Sequence, residues 1–249
     1  MKKILVIANS FGVDATRYLH GVARSEGKQI KVVTLHIGGC SLYRHYRNML
    51  SDEKAYEYYI NGINSGLKVS LKEALLSDEW SIVTLHQCSP KSAVWSSYEP
   101  YLTELSAYVK RLAPAAKQYI QSTWSFADGC PRFAISDCEG REDMIPRVRE
   151  CYTRAAELIN AYATIPSLDA MCEMYDRIGA ATYRDGFHAN YGATRYMLAC
   201  LWYMVFFKTD ISENSFRDFD IEVSEQDVRL ALDIAVKVAR DHGFIKDAE

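Results

Sequence analysis

A serine near the start of the chain and an Asp/His pair near residue 190 are the residue types that could do chemistry together. Ser10 follows the apolar run 4–8 in KKILVIANSFG. Asp185 and His188 lie in YRDGFHANYGA, a glycine-containing loop ahead of a long apolar stretch. A serine hydroxyl is a poor nucleophile until a positioned base takes its proton. Histidine suits that task because its ordinary pKa lies near neutral pH, and an adjacent carboxylate fixes its tautomer. Two more pieces lie between them. Gly38-Gly39-Cys40-Ser41 is a turn whose backbone can approach a substrate closely. His86-Gln87-Cys88-Ser89 offers a side-chain amide.

Each piece also has a plainer reading. Ser10 can cap a following helix. Gly38-Gly39 and Asp185-Gly186 can be simple turns. Gln87 can be an ordinary polar residue at a strand end, and His188 one near a helix start. Their order along the chain is more specific than any one of them.

The elements between these residues predict that they meet. Apolar runs at 4–8, 30–37, 81–86 and 118–122 read as strands, with a weaker one at 163–165. Helical periods lie near 14–25, 67–76, 98–112 and 143–161, then at 190–207. Ser224, with an acidic residue three positions on, reads as the cap of a last helix ending near Arg240. Strands alternating with helices imply an α/β fold: a three-layer α/β/α sandwich around a mostly parallel, five-stranded sheet. In such sheets ligands bind beyond the carboxyl ends of the strands. Asn9-Ser10, the Gly38 turn and the Gln87 segment are what the first three strands deliver there. The Tyr- and Asn-rich stretch 43–65 reads as an insertion over that edge, and 208–249 as a helical extension of the same single domain.

Composition sets bounds. The chain has 249 residues, of which 49% are hydrophobic, enough for one well-cored domain. A net charge of −3 and the lack of a basic, aromatic-studded cluster argue against nucleic acid and anionic membranes. The longest apolar stretch, 196–207, is too short to span a bilayer and reads as a core helix. No leader is recognisable at Met1-Lys2-Lys3, so the sequence as it stands reads as cytoplasmic; a removed leader would make it periplasmic or secreted. Seven scattered cysteines without a C-x-x-C pair read as reduced core residues, and neither a metal nor a cofactor is expected.

The blocks ANSFG, GGCSL, LHQCS and DGFHAN, taken together over residues 2–207, resemble the SGNH, or GDSL-like, hydrolases, in a bacterial branch known mainly as a domain of unknown function. The resemblance implies a flavodoxin-like fold, a nucleophilic Ser10 and a Ser10-His188-Asp185 triad. It places Ser10, Gly39 and Gln87 in the oxyanion hole. Two departures stand out. Ala8-Asn9 replaces the usual Gly-Asp before the nucleophile. The third block lacks its Asn, for which Gln87 and Ser89 are the candidates. The implied reaction is hydrolysis of a carboxylic ester, with an acetyl group on a carbohydrate as the family-level expectation. Asn9, His45 and Trp95, with Tyr43 and Tyr98, are the expected substrate contacts. The competing expectations are a catalytically silent glycan-binding domain, a nucleotide or flavin binder, and a Cys40 nucleophile beside His45. Residues 8–14 contain a single glycine, so neither G-x-G-x-x-G nor a P-loop is present.

Overall fold

The computed structural model describes residues 1–246. Among these residues seven strands form one sheet: β1 (Lys2–Ala8), β2 (Ile30–His36), β3 (Tyr56–Ile60), β4 (Ile63–Val69), β5 (Ile82–Leu85), β6 (Lys117–Gln121) and β7 (Ala163–Ile165). Their order is β4-β3-β2-β1-β5-β6-β7. The five strands expected from the sequence are the parallel ones. The sheet is nevertheless seven-stranded, because β3 and β4 add an antiparallel hairpin at the β2 edge. Asn61 and Gly62, both at positive φ, form its turn.

Helices α1 (Ser10–Thr16) and α2 (Leu19–Ser25) cover one face together with α7 (Ser167–Ile178), α8 (Ala193–Phe207) and α9 (Glu225–Asp241). The other face carries α3 (Leu42–Ser51), α4 (Leu71–Leu76), α5 (Tyr101–Leu112) and α6 (Arg141–Ile159). Parallel strands covered on both faces lose their alternation, which is why β1 reads as a continuous apolar run. Helix α8 is buried along nearly its whole length, as its apolar sequence requires. No helix among the described residues is long and apolar enough to cross a membrane.

Residues 43–65, expected as an insertion over the strand ends, divide in two. Most of the first part is α3, started by Ser41, whose hydroxyl accepts the Arg44 N–H. The remainder is the edge hairpin. The helix expected at 67–76 begins only at Leu71, because Ser70 and Glu73 form a reciprocal capping box and β4 runs up to Val69. In the 208–249 extension, 208–223 is irregular and α9 packs on α8; positions 247–249 lie outside the described residues. All seven cysteines are free, and six are buried.

Candidate active site

Chain geometry explains why β1 gives way so abruptly to α1. Asn9 caps the helix: its Oδ1 accepts the Phe11 N–H at 3.0 Å, and its Nδ2 donates to the Cys40 carbonyl at 3.2 Å. The cap is therefore Asn9, and Ser10 is left as the first helical residue with its hydroxyl uncommitted to the backbone. Gly12 permits the tight return. A Cβ there would lie 2.4 Å from that of Ala8 and 3.1 Å from His86, so α1 rests directly on the sheet.

The His188 loop meets Ser10 at this point. Ser10 Oγ lies 2.7 Å from His188 Nε2, and His188 Nδ1 lies 2.6 Å from Asp185 Oδ2. A carboxylate only accepts, so Nδ1 carries the proton and Nε2 faces the hydroxyl as an acceptor. Asp185 Oδ1 also accepts the His188 N–H at 2.9 Å, locking carboxylate and ring in one turn. Burial pushes the His188 pKa below its ordinary value, against the opposing pull of Asp185. Burial raises Asp185, but the hydrogen bonds from His188 and Phe187 outweigh it and hold the carboxyl below its usual range.

Several contacts that the sequence reading did not single out hold this loop. Asp14, one turn along α1 from Ser10, is fully buried. It takes two bonds from Arg184 Nη1, at 2.9 and 3.0 Å, and two from Arg195, at 2.9 and 2.7 Å. It also accepts the Ala189 N–H at 3.1 Å. Arg195 continues to Asp220, which pairs with Arg17. On the other side, Trp124 stacks on Phe11 and donates its indole N–H to the Phe187 carbonyl at 2.8 Å. Ala127 N donates to the Gly186 carbonyl at 2.7 Å. A lone charge inside a short, otherwise uncharged helix was the one available signal for Asp14.

A pocket of about 220 Å³ opens beside Ser10, lined by Asn9, Phe11, Gly39, Cys88, Ser89, Pro90, Arg132, Ile135 and Phe187. Gly39 sits at φ +59°, a conformation that favours glycine. Gln87 does not line this pocket. Its Oε1 accepts the N–H groups of Leu42 and Cys88, both at 2.9 Å, and its Nε2 donates to the carbonyl and hydroxyl of Ser97, both at 3.0 Å. That amide joins the turn before α3 to the loop after β5 and has no hydrogen free. Ser89, the other third-block candidate, does reach the pocket.

The remaining expected contacts lie elsewhere. His45 is fully buried, stacked on Tyr56 with Nδ1 2.9 Å from its hydroxyl, and burial takes its pKa down to about 3. Cys40 Sγ lies 3.5 Å from that ring, but burial raises the thiol to about 12, so it is no nucleophile near neutral pH. Trp95 stacks on buried Tyr98 with the Arg154 guanidinium 4.1 Å above its ring, and Tyr43 packs edge-on against Tyr101. None of these four aromatic groups lines the pocket. His20 faces the Ile30 carbonyl. Among the described residues no cluster of His, Cys, Asp or Glu is arranged to hold a metal.

The fold, in which the strand ends bring a serine, a glycine turn and a loop-borne His/Asp pair to one pocket, is shared with solved structures described as SGNH and GDSL-like hydrolases. A candidate SGNH hydrolase from Slackia heliotrinireducens is 21% identical and superposes with a TM-score of 0.53, covering 80% of this chain and 94% of its own. A candidate GDSL-like lipase from Parabacteroides merdae is 15% identical at a TM-score of 0.53, covering 81% and 93%. The chain belongs to the DUF4886 family, a domain of unknown function, whose sequence profile matches residues 3–237. A DUF4886 family protein from Bacteroides uniformis is 27% identical and superposes at a TM-score of 0.87 over 95% of this chain and 94% of its own. No curated protein matches the sequence.

Proposed function

We propose that the protein is a serine hydrolase that cleaves a small carboxylic ester through an acyl-enzyme. The observation that carries this reading is the continuous hydrogen-bond chain Ser10–His188–Asp185 at 2.7 and 2.6 Å. His188 takes the Ser10 proton as Oγ attacks the ester carbonyl. It then returns that proton to the departing alcohol. Water, activated by the same imidazole, releases the acid and restores Ser10. Asp185 fixes the tautomer and stabilises the imidazolium during each step.

The oxyanion is assigned to the N–H of Ser10, which has no partner within its own helix, and to the N–H of Gly39. The Ser89 hydroxyl takes the third position in place of Gln87. One such donor contributes about 3 to 4 kcal/mol of transition-state stabilisation. A pocket of about 220 Å³ favours a short acyl group such as acetyl over a long lipid chain. A carbohydrate hydroxyl as the alcohol component rests on the superfamily likeness.

The test is labelling of the pure protein with a fluorophosphonate, followed by peptide mass spectrometry. A single adduct on Ser10, lost in His188→Ala, is the expected result. A folded protein that takes no label would favour a silent, glycan-binding domain, which a glycan array would then reveal.

A further inference from the structure

Among the described residues, one cation in the Ser10 pocket lacks a counter-charge. Arg132 stands in a short 3-10 turn, Pro131–Ile135, within the segment between β6 and α6. Its guanidinium carbon lies 3.8 Å from the centre of the Phe187 ring, and that ring is in turn 3.9 Å from the ring of His188. The segment is also pinned to the catalytic loop, since Ala127 N–H bonds Gly186 and Cys130 abuts Gly186. Asp137 and Asp143 pair with Arg147, Asp128 with Tyr175, and Asp185 with His188, while Glu139 on the same segment is exposed and makes no ion pair with Arg132. Arg132 makes no ion pair and donates no hydrogen bond among the described residues.

The Phe187 ring lies against the guanidinium. Its N–H donors lie in the plane and stay free at the edge, the arrangement that meets a carboxylate or phosphate in bidentate fashion. A side chain already held in place loses little freedom when an anion docks. Lys91, exposed nearby, adds positive charge: burial raises the Cys88 thiol, while Lys91 and Arg132 both act against that rise.

We infer that Arg132 selects the substrate: it receives a carboxylate or similar oxyanion carried by the ester, so the substrate class is an anionic ester. This rests on the reading of Ser10 as the nucleophile. The anion can belong to the acyl group or to the alcohol, and the two sources are separable.

The experiment uses two matched pairs of esters. For the acyl side these are 4-nitrophenyl monoadipate and 4-nitrophenyl hexanoate. For the alcohol side they are the acetyl ester of 4-hydroxyphenylacetate and that of its methyl ester. The readout is the ratio of kcat/KM, charged over neutral, within each pair, so a general loss of activity cancels. Wild type should favour the charged member of one pair by about tenfold or more, mainly through KM, as one charge-assisted contact warrants. Arg132→Gln should remove that preference, and Arg132→Lys should restore part of it. A wild-type ratio near one in both pairs overturns the proposal. So does a ratio that Arg132→Gln leaves unchanged, which would assign the charge preference to another group.

Calorimetric binding of the four intact esters to Ser10→Ala, with and without Arg132→Gln, reads the same ratio without turnover. If Ser10 takes no fluorophosphonate and no ester is cleaved, the hydrolase reading falls, and these binding ratios still decide for or against Arg132.

Discussion

Asp14 Oδ2 accepts the backbone N–H of Ala189 at 3.1 Å, joining the helix of the serine to the residue that follows the histidine. The distance between Ser10 and His188 is therefore set by a buried carboxylate that touches neither. Removing its charge leaves Arg184 and Arg195 short of their shared partner in a dry setting, although Arg195 keeps Asp220. Asp14→Asn should cost about 3 kcal/mol or more in urea unfolding. It should also lower kcat more than it changes KM, because the base moves and the pocket does not.

The activity profile should carry the signature of a neutral base. Burial lowers the His188 pKa, so its protonated form becomes the major one only below 6.5, the ordinary imidazole value. kcat/KM should fall as pH drops through that lowered pKa and stay level above it toward neutrality. Asp185→Asn removes the interaction that pulls the pKa upward. The limb should then move further toward acid, while the rate falls by about ten-thousand-fold as the tautomer is lost. A limb above 6.5 in the wild-type profile would contradict this.

Two other histidines govern acid stability. His45 and His86 are fully buried, and burial lowers their pKa values to about 3 and about 4. His86 Nε2 accepts the Asn9 N–H at 3.2 Å, so that ring is neutral in the native state. The unfolded chain binds these protons near 6.5 and the native chain does not. Stability is thus complete above 6.5 and is lost progressively as pH falls toward the folded values. Going from pH 7.5 to pH 5 should cost about 2 kcal/mol for each residue. Unfolding measured across that range should show a shallower pH slope for His45→Gln than for wild type.

Gln87 distinguishes a structural amide from an oxyanion donor. Gln87→Ala would leave the buried N–H groups of Leu42 and Cys88 without their acceptor. The expected loss is about 3 kcal/mol of stability. The folded fraction should keep its kcat to within about tenfold, whereas loss of an oxyanion donor would reduce it by about a hundredfold or more.

The hairpin shows what a sequence reading misses even when the signal is present. Asn61-Gly62 is a strong hairpin marker, but β4 is exposed along almost its whole length, and its residues show no alternation between core and solvent. Helix α7 follows the short β7 with only Pro166 between them, and α3 starts from a serine cap inside a polar stretch. Such elements are defined by what packs against them more than by their own periodicity.

The sequence by itself determined the parallel core, because buried strands and long helices write their periods into local composition. It also determined the residue types and the order of Ser10, Asp185 and His188, a hydroxyl, a carboxylate and an imidazole. Only the tertiary structure decided that 178 positions close to 2.7 Å, and that Asp14 and its arginines hold them there. Only it decided that Gln87 is consumed by backbone groups and the Ser97 hydroxyl, while Arg132 stands unpaired in the pocket among the described residues. A hydrogen bond or an ion pair between distant segments depends on where the chain returns. No local pattern records that return.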